Sequence, residues 1–293
     1  ATAGGEKRDA KMDVEPTEAY RILASGVLKD ANLAELPEGV ILRAGELTVT
    51  GEDIEAEIAE APPALQEELR KHAFLVLEQI VTNELLAQKA RQVAEARGPD
   101  PEAMSEQETV QSYFEDITAD IEVKDAEVLA FYEENKQALG GRPLDQVRGM
   151  VAKYLRQQKQ QETVEKHMKS LADDLEVEVS TEWVAEKAPQ AIDNPVDRAR
   201  LSGRPSLVDF GAEGCGPCDQ LAPILEDMKE DYEGRADIVF VSVREEQILA
   251  SRYGIRSIPV QVFFDAEGNE IFRHTGFWPR EQLDKKIAEM GVE

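Results

Sequence analysis

The chain contains only two cysteines, Cys215 and Cys218, with Gly216 and Pro217 between them. Two cysteines this close together rule out a framework of disulfides as the source of stability. A structural zinc site normally needs four ligands, and the few histidines of this chain are scattered far from the pair, so no metal is expected. We therefore expect no cofactor beyond a redox-active cysteine pair.

The residues around the pair predict where it lies in the fold. Residues 206–210 form a short apolar run typical of a buried strand, and the apolar residues Leu221, Leu225 and Met228 recur at helical spacing after it. The cysteines therefore lie at the start of a helix. There Gly216 allows close backbone approach, and Pro217 fits the first turn, where its missing N–H costs nothing.

A thiol at the start of a helix faces unpaired backbone N–H groups and the positive end of the helix dipole, which lower its pKa. Cys215 is therefore the expected nucleophile. Cys218 lies one turn further along the helix, close enough to attack a mixed disulfide formed by Cys215 and to release the reduced substrate. These two residues are the predicted catalytic pair.

Residues 195–293 resemble a thioredoxin domain. The resemblance rests on several separate features that follow the order and spacing of that family: Val208-Asp209-Phe210, the Cys-Gly-Pro-Cys segment, Ala222-Pro223-Ile224-Leu225, Tyr253 to Pro259, and Gly276. It implies an α/β thioredoxin fold in which Asp209 is a buried acid that manages the proton of Cys218. It also implies a cis bond before Pro259, and a substrate surface made by Ile258, Pro259, Gly276, Gly214, Gly216 and Pro217.

Three positions depart from the family pattern. Gly211 and Gly214 stand where tryptophans flank the motif, and Phe240 stands where a lysine usually pairs with the buried acid. We expect a roomier groove, which Phe277 and Trp278 partly cover. We also expect a raised pKa for Asp209, because burial disfavours its charged form and no cation compensates.

Residues 263–277 predict two strands joined at Gly268 and Asn269, with His274 facing solvent. This hairpin is similar to that of extracytoplasmic bacterial thioredoxins. The resemblance implies a periplasmic location and a membrane thiol reductant of the CcdA or DsbD type as electron donor. The chain begins at Ala1 without methionine, so a removed signal peptide and a trimmed chain both stay open.

The first part of the chain has a different pattern. Residues 1–16 predict a disordered leader, and residues 17–181 a mainly helical domain with a small β element. Ala44 and Gly45 predict a hairpin turn, and Thr50 with Asp53 a capping box. The helices are expected at 63–97, 106–117, 125–139 and 143–171, and a strand at 175–179.

Residues 38–180 resemble the helical chaperone domain of SurA and of parvulin-type prolyl isomerases. In the isomerases a catalytic domain follows the element that matches Tyr132 to Lys136. Here only residues 137–142 precede the next helix, which leaves no room for that domain, so prolyl isomerase activity is not expected. Residues 182–194 are expected to be a linker, with Trp183 as a packing anchor at the domain junction. His72 and His167 stand beside lysines and are expected to be exposed.

The 293 residues suggest two domains. The 60 acidic and 33 basic side chains give a formal charge of −27, which excludes nucleic acid as a natural partner. No apolar run reaches the roughly 18 residues that a membrane span needs, so the chain is not expected to be membrane-embedded.

These patterns predict a two-domain thiol:disulfide oxidoreductase of the reducing or isomerising kind, in which the helical domain presents unfolded or disulfide-bonded proteins to Cys215. A holdase chaperone or assembly factor that uses its thioredoxin domain only to bind peptides is the alternative. An electron relay that serves one dedicated partner is a third possibility.

Overall fold

The computed structural model describes residues 14–97, 104–136, 139–173 and 175–292. The expected leader lies almost entirely outside these ranges. The described residues form a helical N-terminal region with a small sheet, followed by an α/β domain with a second sheet. The elements of the first region are α1 (Pro16–Leu23), β1 (Asn32–Ala34), β2 (Val40–Ala44), β3 (Leu47–Thr50), α2 (Gly51–Glu60), α3 (Pro63–Lys71), α4 (Ala73–Arg97), α5 (Glu106–Thr118), α6 (Asp125–Glu134), α7 (Leu144–Asp173), β4 (Val177–Ser180) and α8 (Thr181–Ala191).

The first sheet has the strand order β1-β4-β2-β3. The last of these strands in the chain, β4, lies between β1, to which it is parallel, and β2, to which it is antiparallel. β2 and β3 form the expected hairpin. α2 begins with the expected capping box, in which the Thr50 side chain accepts from the backbone N–H of Asp53 and the Asp53 carboxylate accepts from the backbone N–H of Thr50.

Residues 182–194 differ from the expected linker. Most of this segment belongs to α8, whose buried side chains Trp183, Val184 and Ala188 pack into the core of the N-terminal region. The Trp183 ring lies 4.7 Å from the ring of Phe74 on α4. The prolines and polar residues of the segment suggested a loop, but its apolar residues lie on one face at helical spacing, and burial of that face stabilises the helix.

The single helix expected over 63–97 is divided at His72, whose backbone leaves the helical conformation with ψ at 37°. The expectation that His72 is exposed is wrong. Its side chain is only 5% exposed, and its Nε2 lies 3.3 Å from Glu68 Oε1. His167 is partly covered as well, with its Nε2 2.5 Å from the hydroxyl of Tyr113 on α5.

The α6 and α7 helices pack against each other through a small core of their own, which contains Val128, Tyr132, Val147 and Val151. We call these two helices the arm. α6 ends at Glu134, earlier than the expected 139, and Asn135 caps it by donating from Nδ2 to the carbonyl of Phe131.

The C-terminal domain contains α9 (Pro195–Arg200), β5 (Ser206–Gly211), α10 (Gly216–Asp231), β6 (Asp237–Ser242), α11 (Gln247–Arg252), β7 (Val260–Phe264), β8 (Glu270–Thr275) and α12 (Arg280–Glu289). The strand order is β6-β5-β7-β8, with β5 parallel to β6 and antiparallel to β7. Both faces of the sheet are covered by apolar clusters, so the central strands β5 and β7 are buried along their whole length.

A buried ionic cluster joins the two regions. Asp197 on α9 is fully buried and accepts two hydrogen bonds from the Arg252 guanidinium, at 2.5 and 3.2 Å, and one from the Tyr253 hydroxyl at 2.7 Å. Arg252 and Arg200 also donate to the carbonyl of Ile22 at the end of α1. We call Asp197, Arg200, Arg252 and Tyr253 the junction cluster. Its hydrogen bonds connect the C-terminal domain to α1.

Candidate functional site

The cysteine pair lies at the N-terminus of α10, as the sequence predicts. Cys215 is the N-cap residue and is joined to Cys218 by a disulfide, with a Cα–Cα distance of 5.2 Å. Cys215 is partly exposed, whereas Cys218 is only 5% exposed. Gly214 has a φ of +75°, a conformation that glycine adopts without strain, and this turn brings the chain from β5 to the helix. An incoming thiol therefore reaches the first cysteine and not the second.

Two of the predicted substrate-surface residues, Pro259 and Gly276, lie at the same end of the sheet as Gly211, from which the chain turns to the cysteines. Phe210 pairs with Val260, so Gly211 and Pro259 follow at neighbouring strand ends. The peptide bond between Ile258 and Pro259 is cis, and the N–H of Gly276 donates to the Pro259 carbonyl at 2.8 Å. Pro259 and Gly276 are buried and Ile258 is half-buried, whereas Gly214 and Gly216 are exposed and Pro217 is half-buried.

Gly276 is covered by a residue of the arm that the sequence did not indicate. The Oδ1 atom of Asn135 lies 3.2 Å from the position that a Cβ on Gly276 would occupy. Asn135 is fixed by its bond to the end of α6, so the N-terminal region forms one wall of this edge. Sequence spacing could not have found this contact, because the two residues lie far apart in the chain and in different domains.

Asp209 lies on β5, 1% exposed, in the layer below the disulfide. Burial raises its pKa to about 6, and a hydrogen bond from Gln261, which favours the charged form, only partly offsets the effect. The raised pKa confirms the expectation from the missing lysine. The partner was not foreseen: Gln261 Nε2 donates to Asp209 Oδ1 at 2.7 Å. A polar residue inside the apolar run of β7 was the available signal.

Phe240 compensates for one of the two missing tryptophans. A Cβ on Gly211 would lie 2.9 Å from Cε2 of Phe240, 3.3 Å from Asp209 Oδ2 and 3.4 Å from the Cβ of Cys218. The Phe240 ring therefore reaches into the space beside Gly211 and shields the carboxyl from β6. The roomier groove that the sequence predicts at Gly211 and Gly214 stays a prediction. A pocket of about 380 Å³ lies beside Cys218, and neither glycine lines it. Its lining includes Phe240, Ile238, Leu225, Ala222 and Ala212, with Glu213, Asp219, Glu226 and Lys229.

The aromatic residues after Gly276 pack on the sheet. The Trp278 ring stacks on His274, with centroids 4.5 Å apart, and on Phe272 at 5.3 Å. The expectation that His274 faces solvent is wrong, because the Trp278 ring stacks on the imidazole and leaves His274 only partly exposed. Burial lowers the pKa of His274, and a nearby backbone contact at Phe277 and the charge of Glu134 oppose that shift.

No group of three or more histidine, cysteine or acidic side chains in the described ranges is placed to hold a metal ion. None of the helices described combines the length and the apolar character that crossing a bilayer requires.

The raised pKa of Asp209 predicts a pH-dependent stability. The folded-state pKa of about 6 exceeds the ordinary 3.8, so the folded protein binds this proton more tightly than the unfolded chain does. The oxidised protein should therefore lose stability as the pH rises from about 4 to above 6, by up to about 3 kcal/mol. Asp209→Asn, which keeps the shape of the neutral acid, should remove this loss.

The measurement is urea unfolding of the oxidised chains at pH 4 and pH 8. We expect Asp209→Asn to be more stable than the wild type by about 2–3 kcal/mol at pH 8 and nearly equal to it at pH 4. Glu226→Gln, a change of an exposed acid on α10, is the control and should alter neither value. Equal stability of Asp209→Asn and wild type at pH 8 would contradict the raised pKa.

Comparison with known proteins shows that the C-terminal domain is similar to thioredoxins. A family described as "Thioredoxin-like domain" matches residues 192–291. Thioredoxins of Staphylococcus aureus strains Mu50 and MW2 are 44% identical over 77 residues, which cover 26% of this chain and 73% of each relative. Among solved structures, a thioredoxin of Fasciola hepatica is 30% identical and covers 30% of this chain and 82% of its own, with a TM-score of 0.28. A Nicotiana alata thioredoxin is 28% identical, covers 33% and 82%, and has a TM-score of 0.30.

Proposed function

Because its C-terminal domain makes this chain a member of the thioredoxin family, we propose that it is a thiol:disulfide oxidoreductase that reduces or rearranges disulfides in proteins. One observation carries the proposal: the Cys215–Cys218 disulfide lies at the start of α10, where Cys215 is partly exposed while Cys218 and the acid Asp209 are buried. Thiol–disulfide exchange is the general activity of this family.

In the proposed reaction the reduced Cys215 thiolate attacks one sulfur of a substrate disulfide. A bond forms between Cys215 and that sulfur, the substrate S–S bond breaks, and one substrate thiolate leaves. The Cys218 thiol then passes its proton to the Asp209 carboxylate and attacks Cys215. The mixed disulfide breaks, and the second substrate thiolate leaves and takes up a proton. Two electrons pass from the dithiol to the substrate, and an external dithiol restores the pair.

The start of the helix favours the first step because its free N–H groups and dipole stabilise the attacking thiolate. The raised pKa of Asp209 suits the second step. A carboxyl with a pKa of about 6 still ionises at neutral pH, yet it holds a proton more readily than an ordinary aspartate does. Asp209 is therefore proposed as the proton acceptor for Cys218.

The N-terminal region is proposed to bind the protein substrates. Its support is the proximity of Asn135 to Gly276: the Asn135 Oδ1 lies 3.2 Å from the position of a Cβ on Gly276, so the end of α6 stands beside the edge where an extended substrate would lie. The same region contains an open cleft of about 950 Å³ between α2, α3 and α8, whose lining includes Ile54, Ile58 and Trp183. Relationship to the SurA chaperones, an extracytoplasmic location and a membrane thiol reductant of the CcdA or DsbD type belong to this proposal as well.

The test is reduction of insulin disulfides by the full chain with dithiothreitol as electron source. We expect precipitation of the free insulin B chain well before the dithiothreitol control, and a reduction potential of about −270 mV by equilibration with glutathione. A potential near −120 mV would instead indicate an oxidant. An insulin lag equal to that of dithiothreitol alone, together with suppression of aggregation by the chain, would favour the holdase alternative.

A further inference from the structure

Four side chains form one row across the C-terminal sheet. Asp209 pairs with Phe240 on β6 and with Gln261 on β7, and Gln261 pairs with His274 on β8. Directly opposite residues of neighbouring strands point to the same face of a sheet. Gln261 is fully buried in this row, although glutamine is rarely found in such a position. An amide at this place therefore needs a reason.

The amide of Gln261 is only half satisfied. Its Nε2 donates to Asp209 Oδ1 at 2.7 Å, while its Oε1 has no hydrogen-bond partner among the described residues. An unpartnered buried oxygen costs free energy, about 1–3 kcal/mol in general, and an apolar side chain of the same length would avoid that cost. The interaction with Asp209 is thus the one polar contact that the Gln261 side chain makes in this part of the structure.

The bond from Gln261 fixes the direction of the carboxyl. Gln261 on β7 binds Oδ1, so Oδ2 lies on the side of the carboxyl away from Gln261. Oδ2 is 3.3 Å from the position that a Cβ on Gly211 would occupy. The Cβ of Cys218 lies 3.4 Å from the same point. Oδ2 has no partner among the described residues. The free oxygen of the acid therefore faces the space in which the thiol of Cys218 would lie after reduction.

No cation among the described residues lies close enough to Asp209 to influence its pKa. β6 presents the Phe240 ring to Asp209, α10 presents Cys218, and β8 presents His274 on the far side of Gln261. The pocket beyond Phe240 contains Glu213, Asp219, Glu226 and Lys229. Burial and the Gln261 bond together determine the pKa of Asp209, and no charged neighbour contributes to it.

We propose that Gln261 is a positioning residue of the proposed reaction: its amide orients the Asp209 carboxyl so that Oδ2 accepts the proton of Cys218 in the second exchange step. An amide suits both states of the acid. Its N–H donates to Oδ1 of the carboxylate, and when Oδ2 carries the proton, Oδ1 is still a carbonyl oxygen that accepts the same hydrogen bond. A lysine would favour only the charged state, so the glutamine keeps a hydrogen bond throughout the proton cycle. This inference rests on the proposed function.

The test compares the wild type with Gln261→Met, which keeps the length of the side chain and removes the amide. Stopped-flow fluorescence measures the rate of insulin reduction by the pre-reduced full chain from pH 5 to pH 9. Infrared difference spectra measure the titration of the Asp209 carboxyl, identified by its loss in Asp209→Asn. We expect both pH midpoints to rise by about one pH unit in Gln261→Met, since the charged form loses a hydrogen bond, and the rate at pH 7 to fall several-fold.

Val262→Ala is the matched control, because Val262 is the next residue of β7, is fully buried and does not contact the carboxyl. It should lower the melting temperature and leave both midpoints unchanged. If Gln261→Met behaves in the same way, Gln261 is merely structural and the inference is wrong. If no chain reduces insulin but the infrared midpoint still rises in Gln261→Met, the proposed function is wrong, whereas the influence of Gln261 on the Asp209 carboxyl is confirmed.

Discussion

Replacement of Cys215 by serine should lower insulin reduction at least about a hundredfold, because the hydroxyl cannot form the mixed disulfide on which both exchange steps depend. The partly exposed position of Cys215 at the start of α10 makes it the sulfur that a substrate meets first. The measurement is the initial rate of insulin reduction at pH 7 with equal amounts of folded protein, verified by circular dichroism.

The neighbouring cysteine should behave differently. Cys218→Ala retains the nucleophile and loses the thiol that resolves the mixed disulfide, so the chain should remain covalently bound to its substrate. Non-reducing electrophoresis should show this adduct for Cys218→Ala and not for the variant that lacks both cysteines. An adduct formed by Cys215→Ser in place of Cys218→Ala would reverse the assigned roles.

Asp197→Ala should destabilise the protein by about 3–5 kcal/mol, which is the usual cost of leaving a buried charge without its partner. Arg252 is only 5% exposed and would lose the carboxylate to which its two terminal nitrogens, Nη1 and Nη2, donate. Burial alone would raise the pKa of Asp197, but Arg252, Arg200 and the Asn194 amide hold it below its usual range. The stabilisation is therefore present above pH 4 and is lost as the pH falls further.

The two tryptophans allow this prediction to be resolved by domain. Trp183 lies in the N-terminal core, and Trp278 packs on the C-terminal sheet. Chains with one tryptophan each, made by replacing the other with phenylalanine, should show coincident urea transitions in the wild-type background and separate ones with Asp197→Ala. Asp193→Ala removes an exposed ion pair with Arg198 and should change the midpoint little. Coincident transitions and a loss below 1 kcal/mol in Asp197→Ala would show that the junction cluster does not couple the domains.

The sequence predicted local features well where one short segment carries the whole physical reason. The capping box at Thr50, the hairpin at Gly45 and the cysteines at the start of α10 each depend on a few neighbouring residues. The raised pKa of Asp209 could also be predicted, because its neighbours in residues 206–210 form a short apolar run typical of a buried strand and no lysine stands at the position that usually compensates the acid.

The contacts that the sequence did not predict join residues far apart in the chain. Gln261 is within reach of Asp209 only because β5 and β7 are neighbours in a particular register. His72 looked exposed beside charged residues, yet the helix breaks there and the ring turns inward. Residues 182–194 looked like a linker because of their composition, but burial of one face against the core of the N-terminal region makes residues 182–191 helical. Local patterns do not contain this information.

The position of β4 has a consequence for the order in which the molecule can be built during translation. β4 pairs with both β1 and β2, so the first sheet lacks an inner strand until Val177–Ser180 have been synthesised. A nascent chain that ends before this strand exposes the unpaired edges of β1 and β2, which are sites for wrong association. We therefore expect fragments of the N-terminal region to stay in solution when they extend through α8. Fragments that stop at the end of α7 should precipitate after their release from the ribosome.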